Sequence, residues 1–153
     1  LVSNPLLSFA LGFMSHFLID AIPHWSYPLV SIVLDKKDPL KKDMMINRDF
    51  IKDLAIIAVD LCSGIILAIF IFQDANGFTK ISLPLLFGAI GGVFPDALQF
   101  VYFKIRRQPL IALQKIHLWF HLKHAEDVPV LPYGLLSQVI IIIAVIIISK
   151  IIF

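Results

Sequence analysis

Cysteine is almost absent from this chain: Cys62 is the only one, and it lies inside an apolar run. That excludes an intramolecular disulfide, a CxxC redox motif and a thiolate zinc site, so any metal must be held by His and carboxylate. Charge is also scarce. Charged residues make up 16% of the chain against 59% hydrophobic, and the mean hydropathy of +0.89 excludes an ordinary soluble domain of 153 residues. The formal net charge of +2 is small, and the basic residues are interleaved with aspartates beside apolar stretches, which sets nucleic acid aside as a partner. A leading Met is lacking too. Leu1 opens directly on a loop-like Ser3-Asn4-Pro5 and then a span, so a helix upstream is expected.

What the chain has is apolar length. Four stretches approach the roughly 20 residues a spanning helix needs: Pro5 to Ile22, Leu54 to Phe72, Ile81 to Phe103 and Gly134 to Phe153. Pro5 suits a first turn, Pro23 ends the first span, Asn76 and Gly77 turn the chain between the second and third, and Pro132 with Gly134 precede the fourth. The last span is rich in β-branched residues. In lipid, however, the need to satisfy every backbone group internally favours helix over strand.

The expected fold is therefore all-α: one polytopic membrane helix bundle over residues 1–153, embedded in a lipid bilayer, with about four transmembrane helices and an interfacial amphipathic helix. Residues 23–53 carry six Lys and Arg and residues 104–133 carry five, whereas Gln73 to Lys80 has only Lys80. By the positive-inside rule the first and third loops are cytoplasmic. The first, DKKDPLKKDMMINRDFIKDL, reads most simply as a solvated connector with a short surface helix running into the second span. A faint internal repeat aligns Leu11 to Ile22 on Phe87 to Leu98, matching Gly12 with Gly88, Asp20 with Asp96 and Ala21 with Ala97. Two spans separate the equivalent positions, so a duplication would give parallel repeats.

All five histidines fall in two short stretches, His16 with His24 and His117 with His121 and His124. Both stretches touch spans, and ionisable groups at membrane depth are costly enough to point to function. At about 1.5 Å rise per residue, Asp20, Asp60 and Asp96 sit roughly 5 to 12 Å in from the cytoplasmic ends of the first three spans, in one layer. His16 and Asp20, four residues apart, share a helix face and could chelate one ion. His117, His121 and His124 fall within an arc of about 60°. Their segment, Pro109 to Ala125, carries Leu113, Ile116 and Phe120 near the same face and reads as an interfacial helix with its histidines turned toward the bundle. His124, beside Ala125 and Glu126, reads as a solvated helix-end residue. His24 beside Trp25 fits an interfacial aromatic belt as well as a site. Pro95, with Gly88, Gly91 and Gly92 upstream, would permit close helix approach and a locally broken third span.

The string from Gly12 to Trp25 (GFMSHFLIDAIPHW), the GGVFPDALQF of Gly91 to Phe100 and the H-x3-H of His117 and His121 together resemble a group of small bacterial integral membrane proteins of unassigned activity. These look like distant relatives of the membrane-bound metal-dependent hydrolases. The resemblance runs from Asn4 to about Lys123 and implies metal or active-site roles for His16, Asp20, His24, Asp96, His117 and His121. Such proteins usually begin with a further His- and Gly-bearing helix.

Taken together, these readings lead to an integral protein of the bacterial cytoplasmic membrane with a His/Asp site at its cytoplasmic face. His16, Asp20, Asp96, His117 and His121 are the expected ligands of a divalent metal such as Zn or Mn, and His24 and Asp60 the candidates for catalytic acid–base work. Hydrolysis of a phosphoester or a lipid-linked substrate is the expected reaction. Proton or metal-ion transport is the main alternative, although the outer halves of the spans offer little beyond Ser3, Ser63 and Ser82 to line a path. A non-catalytic structural or assembly subunit is the third.

Overall fold

The computed structural model describes residues 3–72, 82–122 and 130–152. The second loop, Lys123 and His124 lie outside them. The architecture is all-helical as expected, with five α-helices: α1 (Pro5–Asp20), α2 (Arg48–Phe72), α3 (Leu83–Ile105), α4 (Leu110–Leu122) and α5 (Leu135–Ile152), the last entered through a π-helical turn at Val130–Gly134. Three helical stretches, Arg48–Phe72, Leu83–Ile105 and Pro132–Ile151, are long and apolar enough to cross a membrane. α1 is shorter than the first span expected. Its 16 residues cover about 24 Å, against a hydrocarbon core of about 30 Å. Asn4 starts it, its Oδ1 accepting from the N–H groups of Leu6 (2.9 Å) and Leu7 (3.2 Å), with Pro5 in the first turn.

α1 packs chiefly on α3, and glycine makes that contact possible. A Cβ at Gly12 would stand 2.2 Å from the Gly88 carbonyl oxygen, and one at Gly91 2.2 Å from that of Phe9, so the two backbones touch where no side chain fits. Gly12 lies against Gly88, His16 bonds Gly92 across 76 residues of sequence, and Asp20 and Asp96 approach the same histidine nitrogens. The two helices thus run parallel, in the register of the internal repeat. α2 runs back alongside α3, its Ala68 and Ile69 near Leu85 and Ala89. Pro95 does not break α3, which is helical through Ile105; the proline is fully buried in it.

The first loop departs most from expectation. It is a folded cap rather than a solvated connector. Two short antiparallel strands, β1 (Ile32–Val33) and β2 (Asp43–Met44), pair Ile32 with Met44, and a 3₁₀ turn at Pro39–Lys41 lies between them. Met44 packs into a core with Tyr102 and Phe103 from the end of α3, flanked by Leu40, Phe50, Leu110 and Ile111. Tyr102 Oη donates to the Leu40 carbonyl (2.8 Å), and Lys104 Nζ pairs with Asp43 Oδ1 (2.8 Å) and donates to the Met44 carbonyl. Asp53, buried in the first turns of α2, accepts from Val30 N–H (3.1 Å), Ser31 N–H (2.7 Å) and Ser31 Oγ (2.6 Å). The bonds of Asp53 to Ser31 satisfy groups that burial would otherwise leave costly.

α4 also differs in how it faces the protein. Gln114 and His117 are buried and His121 half-buried, while Ile116 and Trp119 are 48% and 56% exposed. Ile116, expected beside the histidines, points away from them. The inner face thus carries Gln114 and His117 beside Phe120, which packs on Phe17, while the outer face shows Ile116 and Trp119 together with the exposed Lys115, as suits a helix lying at the boundary between acyl chains and water.

Candidate metal centre

The last turn of α1, the middle of α3 and the inner face of α4 bring all five expected metal ligands to one place. The centre of the cluster is Asp20 Oδ2. Three imidazole nitrogens approach it: His16 Nε2 at 3.0 Å, His121 Nε2 at 3.1 Å and His117 Nε2 at 3.2 Å. Asp96 Oδ1 lies 3.7 Å from the Nε2 atoms of both His16 and His117. Two triads share His117, one with His16 and Asp96 and one with Asp20 and His121, and within each the donor atoms lie within 4.8 Å of one another.

The tautomer of His16 follows from its other nitrogen. Nδ1 lies 2.8 Å from the Gly92 carbonyl oxygen, which can only accept, so Nδ1 carries the hydrogen and Nε2 of the neutral ring presents a bare lone pair. That lone pair faces carboxylate oxygens, which also only accept. His16 Nε2, His117 Nε2 and Asp20 Oδ2 are all buried, and none has a hydrogen bond of acceptable geometry among the described residues. Unmet buried polar atoms cost about 1–3 kcal/mol each, and a cation between these three would satisfy them together. The spacing fits an ion. Donors about 2.0–2.1 Å from a tetrahedral centre lie about 3.3–3.4 Å apart, within the observed 3.0–3.7 Å. Two carboxylates with neutral imidazoles also balance a divalent charge. Finally, Asp20 ends α1, where the helix dipole already places negative charge and no basic residue stands in the last turn, and a cation would relieve that conflict.

The site is closed on one side and open on the other. The His117 side chain is 2% exposed and those of His16 and Asp20 little more, whereas Asp96 is 58% and His121 41% exposed. His24 stands at this open side, its ring 5.8 Å from that of His121. Its Nδ1 is 2.9 Å from the Ile22 carbonyl oxygen, which leaves Nε2 free of the hydrogen in the neutral form. The start of α5 fixes this segment: a Cβ at Gly134 would lie 2.6 Å from Trp25 N, Ser137 Oγ lies against the Pro23 carbonyl, and Gln138 Nε2 donates to Trp25 O (3.0 Å). Asp60 is not among the converging groups. It is exposed on α2, and its charge is felt by Tyr27, whose hydroxyl is pushed above its ordinary range by burial and then by Asp60 and Asp96.

Two residues near the cluster are not singled out by the sequence. Gln114, 2% exposed, lies one turn before His117 on the same face of α4, and its Nε2 has no acceptor among the described residues. Lys42, partly buried on the cap, has its ammonium pushed down from its ordinary range by desolvation, against the opposing pull of Asp96. The i, i+3, i+7 spacing of Gln114, His117 and His121 was the only available hint of the first.

Comparison of the chain with protein-family models, with curated proteins and with solved structures returns no match.

Proposed function

We propose that this is a metal-dependent hydrolase of the membrane, with its His/Asp centre on the cytoplasmic side and a phosphoester or lipid-linked substrate reached from the bilayer surface. The observation that carries this reading is the convergence of three imidazole nitrogens on Asp20 Oδ2, with the His16, His117 and Asp20 atoms buried and without a hydrogen-bond partner among the described residues, supported by the resemblance of the sequence motifs to membrane-bound metal-dependent hydrolases. His16, Asp20, Asp96, His117 and His121 are the residues that would hold the ion, Zn or Mn by donor type. Such an ion supplies Lewis acidity, which acidifies water and neutralises charge building on the substrate.

The chain's own groups do the rest. Gly92 fixes the His16 ring, so Nε2 is offered without reorganisation. Asp96, exposed and adjacent to the buried donors, is placed to accept a proton from water. His24, its Nε2 unprotonated in the neutral ring and its neighbour His121 half-exposed, can carry that proton to the leaving group or to solvent. Asp60 acts, on this scheme, only through its field on Tyr27. The positive-inside count supports a cytoplasmic location for the centre, since the cap of the first loop, α4 and the C-terminal end of α3 lie together at one end of the bundle.

The test is elemental analysis of detergent-purified protein, repeated with Asp20→Ala and Asp96→Ala. About one or two divalent ions per chain are expected, falling at least tenfold in Asp20→Ala. Protein that retains no metal, and whose melting temperature is indifferent to chelator, rules the reading out.

A further inference from the structure

Two hydrogen-bond donors, one on α4 beside the His/Asp cluster and one on the cap, are left unused by the metal reading. Gln114 lies one turn after Ile111, which packs on the Met44, Tyr102 and Phe103 core, and one turn before His117. Its amide is buried, and Nε2 has no acceptor among the described residues. Of the four such orphaned side-chain atoms among the described residues, the other three belong to the cluster itself. Lys42 belongs to the cap. The 3₁₀ turn that precedes it touches α4, and the next two residues are pinned by Lys104. Its ammonium makes no ion pair among the described residues, and the charge that acts on it is that of Asp96.

We propose that Gln114 and Lys42 form an oxyanion subsite beside the His/Asp cluster and that its ligand is a phosphoryl group. This rests on the reading of the cluster as a metal-dependent hydrolytic centre. An amide N–H that finds no acceptor in the protein is completed by a ligand oxygen, and an unpaired ammonium by a ligand charge. A planar carboxylate has two oxygens in one plane. A phosphoryl group has three non-bridging oxygens in a pyramid, so one can meet Gln114 and one Lys42 while the third faces the histidines. The substrate is thereby narrowed to a phosphomonoester, either soluble or as a lipid headgroup.

Binding of inorganic phosphate to the detergent-purified full chain, followed by equilibrium dialysis, tests this, with metal content measured on the same samples. Lys42→Met and Gln114→Leu are each expected to weaken phosphate at least tenfold with metal content unchanged. Lys36→Met, exposed at the tip of the cap, serves as the control and should leave both unchanged. Gln114→Leu should also melt at the same or a higher temperature, because it removes an unmet buried donor. Phosphate affinity equal to wild type in both variants overturns the subsite. Should Gln114→Leu fail to fold, Lys42→Met decides. Wild-type protein without metal overturns the hydrolase reading alone, since phosphate binding to the metal-free chain and its loss in Lys42→Met still report on the subsite. Displacement of bound phosphate by phenyl phosphate assigns a soluble ester and displacement by phosphatidic acid in nanodiscs a lipid one, whereas displacement by neither overturns the phosphoryl assignment.

Discussion

Single residues of this protein divide into those whose partners are in hand and those whose partners are missing. Asp53 belongs to the first kind, with three donors at 2.6–3.1 Å on a buried carboxylate. Asp53→Ala should cost about 3 kcal/mol, read from chemical unfolding in detergent, because a buried backbone N–H, a partly buried one and a buried hydroxyl lose their acceptor. Asp43 is held below the usual carboxylate range by its hydrogen bond to Lys104, so its contribution to stability is complete above about pH 4 and lost as pH falls through the lowered value. The stability difference between wild type and Asp43→Asn should therefore shrink on acidification and vanish below that value. Asp20 belongs to the second kind. Asp20→Asn keeps the shape but removes the charge that three imidazoles surround, and metal content by elemental analysis should drop at least tenfold. The five candidate ligands were legible because His and Asp are conspicuous in so apolar a chain. Gln114 was not, since a neutral amide on a helix carries no cost until burial leaves it without an acceptor.

At the scale of elements, the α1–α3 contact depends on atoms that are not there. Gly12→Ala or Gly91→Ala places a methyl 2.2 Å from a backbone oxygen, so the helices must part. Each should destabilise the fold by about 1–3 kcal/mol and also reduce metal content, because His16 then loses its distance to Gly92. Gly64→Ala is the matched control: nothing lies within 4 Å, and the substitution should be neutral or stabilise α2 by up to about 1 kcal/mol. The spans could be read from hydropathy, and the pairing of α1 with α3 was latent in the repeat. The cap could not be read. Its charged residues look solvated in sequence, while its order comes from Asp53 reaching back 22 residues to Ser31 and from Tyr102 and Lys104 reaching across some 60 to Leu40, Asp43 and Met44. Contacts of that span leave no local periodicity.

For the molecule as a whole, the three long helices turn broad apolar surfaces outward, as in Val59 at 71% and Ile151 at 77% exposed, and lipid is the solvent that fits them. In a Cys62→Ser background, Lys36→Cys should react with an impermeant maleimide only from the side that also carries α4, and Lys80→Cys only from the other. Labelling of both from one side would contradict the topology. The glycine contact carries one further consequence. Because the ring that would bind the ion is oriented by a carbonyl of the neighbouring helix, ion affinity and helix docking are one linked equilibrium. Ion at about a hundred times its dissociation constant would add about 2.7 kcal/mol to the docked pair, and every loosening of that pair would return as a weaker hold on the ion. The bilayer, by pressing α1 and α3 together or letting them part, would set how much metal the protein keeps.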